Sequence, residues 1–91
     1  MRFAYEATFW ASTDNLSLFQ RRQIVKVIRK FERACESGNI PGVLGLTHLR
    51  ENYFEFRVDA HRRIIFQRIG DLIRYIFYGS HDEVKRILKR L

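Results

Sequence analysis

The sequence predicts an α+β fold. Its small antiparallel sheet combines an N-terminal strand with a C-terminal three-stranded meander, the N-terminal helices cover one face, and a short helix ends the chain. Three observations carry this reading. Ile24, Val27, Ile28, Phe31 and then Ala34 or Cys35 recur at helical spacing in the first half. Beyond Pro41 the period drops to two, with Phe54, Phe56 and Val58 alternating against Tyr53, Glu55 and Arg57. Finally, Ser80 precedes Glu83 by three residues, the spacing of a capping box, and Val84, Ile87, Leu88 and Leu91 follow as a helical stripe.

Taken in order, residues 2–10 read as a strand, with Phe3, Tyr5, Ala7 and Phe9 on one face and Arg2, Ala4 and Glu6 on the other. Ser12, Thr13, Asp14 and Asn15 offer helix caps, and 16–37 reads as one long or two short helices stopped by Gly38. The only proline, Pro41, lies in the turn "SGNIPG" that closes this half. Strands at 53–58, 63–69 and 72–78 follow, separated by the polar "DAH" and by Gly70-Asp71. The last two are apolar on both faces, as central strands are.

Residues 1–91 are expected to form one domain, since 46% hydrophobic and 14% aromatic residues supply one layered core. The single Cys35 cannot form an internal disulfide, so a reducing cytoplasm is the expected setting. Arg2 and Glu6 interrupt the apolar N-terminus, and no run is long enough to span a bilayer, so no membrane role is expected.

Charge points to the partner. Seventeen Lys and Arg against ten Asp and Glu give +7, a balance suited to a polyanion. Arg22, Lys26, Arg29, Lys30 and Arg33 share the outer face of the long helix, either as a solvated stripe or as a docking surface for RNA or an acidic protein.

Alternation also sorts the meander. If Phe54, Phe56, Ile64 and Phe66 face the helices, then Tyr53, Glu55, Arg57, Arg63 and Gln67 lie together on the other face. That set is either a solvated sheet surface or an anion site in which Arg57 and Arg63 clamp a phosphate. The capping box accounts for Ser80 and Glu83 but not for His81, whose cation is disfavoured at a helix start and whose neutral ring can accept a proton. His48, His61, His81 and Cys35 lack the spacing of a metal site, and no cofactor is called for.

"FRVDAHRRIIFQ", followed by a turn, a strand and "GSHDEV", resembles the RelE/ParE toxin superfamily of type II toxin–antitoxin systems. The match covers Tyr53–Lys85, while the first half agrees in order and length only. The resemblance implies an active site on the exposed sheet face. It also implies a ribosome-dependent mRNA endonuclease in which the RNA 2′-hydroxyl attacks the adjacent phosphate without a metal. Carried over by position, Arg63 would be the phosphate clamp and His81 the base or positioning group, with Glu55 a second candidate base. Arg62 stands where many relatives have tyrosine, and Val84 or Lys85 where a further tyrosine often follows. Lys85 would then serve as phosphate ligand, and Tyr53 or Tyr78 would stack a base. The implied partners are an acidic antitoxin meeting Arg22, Lys26 and Arg29, together with the ribosome and mRNA. Two other readings stand beside this one: a ParE-like inhibitor of DNA gyrase without nuclease activity, and a nonenzymatic nucleic-acid-binding domain.

Overall fold

Two runs too apolar for a one-sided sheet, 64–66 and 73–77, become its central strands. The computed structural model describes residues 1–91. It comprises strand β1 (Arg2–Tyr5), helices α1 (Ala7–Thr13) and α2 (Leu18–Ser37), a short 3-10 turn (Gly42–Leu44), strands β2 (Thr47–Arg50), β3 (Tyr53–Arg57), β4 (Arg62–Ile69) and β5 (Leu72–Ser80), and helix α3 (His81–Leu88). The five strands form one sheet of order β1-β5-β4-β3-β2. All neighbours are antiparallel except β1, which runs parallel to β5.

The larger core lies between this sheet and the N-terminal helices. Helix α2 starts at a capping box, with the Ser17 hydroxyl accepting from Gln20 N–H and Gln20 Oε1 accepting from Ser17 N–H. It stops at Gly38, whose φ of 75° permits the left-handed turn and whose N–H reaches the Ala34 carbonyl. Ile24, Ile28, Phe31 and Ala34 form its buried stripe, and Phe31 stacks on Phe56 with centroids 4.4 Å apart. The Tyr75 hydroxyl, fully buried on the sheet, donates to Glu32 of α2 at 2.8 Å. Burial and that neighbouring carboxylate both raise the Tyr75 pKa, so the hydroxyl stays a donor. No helix is long and apolar enough to cross a membrane.

The first element departs from expectation. Only Arg2–Tyr5 is strand, and Ala7–Thr13 is helix α1. Tyr5 and Phe9 satisfy a period of two and also the i,i+4 spacing of a helix, so alternation could not separate the two. The sheet separates them. The last backbone–backbone hydrogen bond to β5 is from Glu6 N–H to the Tyr75 carbonyl, and Thr8 then donates its hydroxyl to the Ile76 carbonyl at 2.6 Å. Ser12 accepts from Tyr78 N–H, so α1 lies across the strand it would otherwise have continued beside.

The sheet also has an edge strand, β2, that the meander alone did not anticipate. The β2–β3 turn uses Glu51 at φ 46° rather than glycine, so it lacks the usual Asn-Gly or Asp-Gly hairpin signal. A second irregularity has a larger effect. Ile65 pairs with Phe77 and Phe66 with Tyr75, leaving Ile76 as an extra residue in β5. This bulge inverts the alternation. Ile73, Tyr75 and Tyr78 join the helix-side core, whereas Ile76 and Phe77 pack on the opposite face with Ile65 and Val84 of α3. Replacing Phe31, which is 1% exposed at the centre of the larger core, with alanine should cost about 3–5 kcal/mol. The urea midpoint of Phe31→Ala is therefore expected to fall steeply, and an unchanged midpoint would place the main core elsewhere.

Candidate active site

The second face of the sheet carries the polar set. Across β3 and β4, Arg57 is opposite Arg63, Glu55 opposite Ile65 and Tyr53 opposite Gln67. Glu55 is only 4% exposed, which demands a partner, and Arg63 Nη1 donates to its Oε1 at 3.2 Å. That contact places Arg63 and Glu55 on one face, as the alternation predicts. Glu55 Oε2 is buried and has no hydrogen-bond partner in the protein. Arg57 is exposed and makes no ion pair, since the chain's ion pairs are Arg2–Asp71, Arg63–Glu55 and Arg74–Glu6. The two arginines thus stand at directly opposed positions, Arg63 paired with Glu55 and Arg57 without an ion pair. They line a cleft of about 430 Å³ whose other walls are Val43, Val58, Asp59 and Ala60.

His81 enters from β5. Arg63 is paired with Gly79, and two residues later His81 begins α3 as an exposed first-turn residue. Gly79 is required at this junction. A Cβ there would lie 2.6 Å from the Phe77 ring and 3.1 Å from Glu83 Cβ, so any other residue would crowd the Phe77 side chain and the first turn of α3. The capping box forms as the sequence predicts, with Glu83 N–H donating to the Ser80 hydroxyl at 3.2 Å and Ser80 N–H to Glu83 Oε1 at 2.9 Å. These contacts to Ser80 hold the Glu83 carboxyl below its ordinary value of 4.5. At the other end, Arg50 donates to the Leu88 and Leu91 carbonyls at 2.8 and 2.6 Å, satisfying groups a helix end leaves open. Arg50 carried no local signal of this role, because its target lies 38 residues away.

The remaining candidates divide. Lys85 is exposed one turn beyond His81, so the two share a side of α3. Tyr53 is on the correct face but at the far end of β3 from Arg57, roughly 13 Å away along the strand. Its ring lies 6.0 Å from the Arg50 guanidinium and packs beneath α3. Tyr78 is not on this face. The bulge turns it into the helix-side core, where it is 4% exposed, and burial raises its hydroxyl pKa against the opposing pull of Arg62. Arg62, adjacent in sequence to the clamp arginine, accordingly lies beside Tyr78 and away from the cleft.

This sheet and its three helices share the fold of solved YafQ, RelE and YoeB/ParE toxin structures. The chain superposes on a crystal structure of the E. coli DinJ–YafQ complex with a TM-score of 0.72 and 17% identity, over 92% of this chain and 98% of that one. It matches the RelB–RelE antitoxin–toxin complex from Methanococcus jannaschii with a TM-score of 0.68 and 17% identity, over 92% and 96% of the two chains. A YoeB/ParE toxin from Agrobacterium tumefaciens gives 0.62 and 18%, over 89% and 99%. No family model and no curated protein matches the sequence. At such identities the shared property is the fold.

The capping contact generates a pH prediction. A carboxyl whose folded pKa is lowered adds stability that is complete above its unfolded value and is lost as pH falls through the folded one. The start of α3 should therefore loosen in acid, from near pH 4.5 downward. Glu83→Gln retains an acceptor for Ser80 N–H but does not titrate, so its amide exchange in α3 should vary less across this range than that of the native chain. Equal variation in both would assign the acid sensitivity to another group.

Proposed function

We propose that this chain is the toxin of a type II toxin–antitoxin system, acting as a ribosome-dependent mRNA endonuclease. The observation that carries the reading is the exposed His81 at the start of α3, next along the sheet from a cleft formed by Arg57 and Arg63. In this mechanism the RNA 2′-hydroxyl attacks the neighbouring phosphorus, the P–O5′ bond breaks, and a 2′,3′-cyclic phosphate and a 5′-hydroxyl result. Such a step needs a base for the 2′-hydroxyl, positive charge on the pentavalent phosphorus centre, and a proton for the leaving oxygen. Arg57 and Arg63 supply the charge.

Accessibility favours one base over the other. His81 is solvent-exposed, whereas both oxygens of Glu55 are withdrawn, one bonded to Arg63 and the other sealed from solvent. Glu55 is therefore assigned to holding Arg63, and His81 to taking the proton from the 2′-hydroxyl. Lys85, one turn on, is assigned to a flanking phosphate. Tyr53 is too far along the strand to stack the nucleotide at the cleft, and Tyr78 is buried on the other side. A gyrase inhibitor would have no use for a proton acceptor at position 81.

The partner reading follows from charge. An acidic antitoxin suits the exposed row Arg22, Lys26, Arg29 and Arg33, none of which has a carboxylate within ion-pair distance. The matched DinJ–YafQ and RelB–RelE structures are toxin–antitoxin complexes. Reversing Arg22, Lys26 and Arg29 to glutamate should abolish rescue of growth by the antitoxin encoded beside the gene. Rescue undiminished by the reversal would place the antitoxin on another surface.

The decisive experiment is single-turnover cleavage of ribosome-bound mRNA. His81→Gln should be slower by about a hundredfold or more, with thermal stability retained. Arg63→Ala should lose activity to a similar degree, but it also leaves Glu55 buried without its partner, at a stability cost of about 3 kcal/mol. Glu55→Gln/Arg63→Ala removes that charge, so it should recover stability without recovering cleavage. Native rates for His81→Gln would remove the histidine from the mechanism. No cleavage by the native chain, together with loss of DNA supercoiling, would identify a gyrase poison instead.

A further inference from the structure

Arg57 is the one arginine of the cleft with no ion-pair partner, yet its guanidinium lies against the backbone at Gly45. The chain enters the cleft wall through the 3-10 turn Gly42–Leu44, anchored by Leu44 at 3% exposure in the core. Gly45 then adopts φ 58°, ψ 39°, the left-handed region that a side chain strains. Both of its peptide groups are committed, the N–H to the Gly42 carbonyl at 3.0 Å and the carbonyl to the Thr47 hydroxyl at 3.1 Å. The bare Cα of this fixed residue is the surface on which the Arg57 guanidinium rests. A Cβ at Gly45 would stand 3.2 Å from Nη2, 3.3 Å from Cζ and 3.5 Å from Nε of Arg57. Near-equal distances to three atoms of the group mean that it lies flat against the glycine.

We propose that Gly45 is a positioning residue. It seats the Arg57 guanidinium so that Arg57 and Arg63 together receive one phosphodiester of single-stranded RNA, with the exposed Val43 side chain of the same turn forming the apolar wall beside it. A long side chain fixed before binding loses less freedom when it engages the phosphate, so the seat raises affinity without touching RNA. The inference rests on the reading of the cleft as an RNA phosphate site.

The glycines provide their own controls. Gly38 and Gly70 have φ of 75° and 59°, and a Cβ at either meets nothing within 4 Å. Alanine is strained similarly at all three positions, but only at Gly45 does its Cβ press on a guanidinium, which must shift by a few tenths of an ångström. The probe is a fluorescein-labelled single-stranded RNA 12-mer, titrated by anisotropy at several salt concentrations. Arg57→Ala should weaken binding about tenfold and lower the salt slope by about 0.7. Gly45→Ala should weaken it several-fold and lower the slope in the same direction, whereas Gly38→Ala and Gly70→Ala should leave both unchanged. In the Arg57→Ala background, Gly45→Ala should have no further effect. Gly45→Asn, which tolerates the left-handed region better while carrying the same Cβ, repeats the test if the alanine variant is poorly folded. Arg57→Lys keeps the charge without the flat group and should likewise make binding indifferent to Gly45→Ala. If Arg57→Ala binds RNA like the native chain, the phosphate reading of the cleft fails and the seat fails with it. If Arg57→Ala is weakened but the two substitutions simply add, the phosphate reading stands and the positioning role of Gly45 is overturned.

Discussion

The contact between Glu55 and Arg63 is the constraint on which the second face of the sheet depends. A carboxylate at 4% exposure needs a compensating partner, and in this sheet that partner reaches across from β4. Arg63 is thereby fixed in direction, with 22% of its side chain still open to the cleft. The same contact takes up the Glu55 carboxylate, leaving the cross-strand neighbour Arg57 without an ion pair. Two arginines opposite one another repel. In the proposed function, a bound phosphate would relieve that repulsion.

Helix α3 is placed over this face by contacts at its ends more than by its own burial. Eight residues are too few for independent helical stability, and only Val84 is fully buried, against Ile65 and Ile76. Ser80 and Glu83 close the start, Arg50 closes the end, and Gly79 admits the close approach of strand and helix. His81 therefore stands at the capped start of a short helix. In the proposed mechanism this mounting would hold the ring toward a single hydroxyl.

The excess positive charge is divided between two surfaces. The row on α2 lies on the side of the larger core, and the cleft arginines lie across the sheet from it. A protein partner on the first surface and RNA on the second would meet different residues, so substitutions in the two sets should be separable in effect.

Much of this was determined by the sequence alone, wherever the signal was local. The capping box at Ser80, the stripe and stop of α2, the Gly70-Asp71 turn and the shared face of Glu55 and Arg63 all follow from spacings of a few residues, and hydrogen-bond geometry repeats over those distances. Where two periods coincide, as at Tyr5 and Phe9, the sequence leaves strand and helix equivalent, and only the end of pairing with β5 decides. Strand β2 escaped notice because Glu51 takes a conformation normally marked by glycine. The face of Tyr78 has a tertiary cause: one extra residue at Ile76, whose carbonyl accepts from the Thr8 hydroxyl, reverses the faces of everything after it in β5. The roles of Arg50, Gly79 and Gly45 were likewise invisible, since each depends on what approaches from elsewhere in the chain. Short-range periodicity chose the elements. Long-range contact chose which side chains share the cleft, because a pattern along one strand carries no information about where its partners interrupt it.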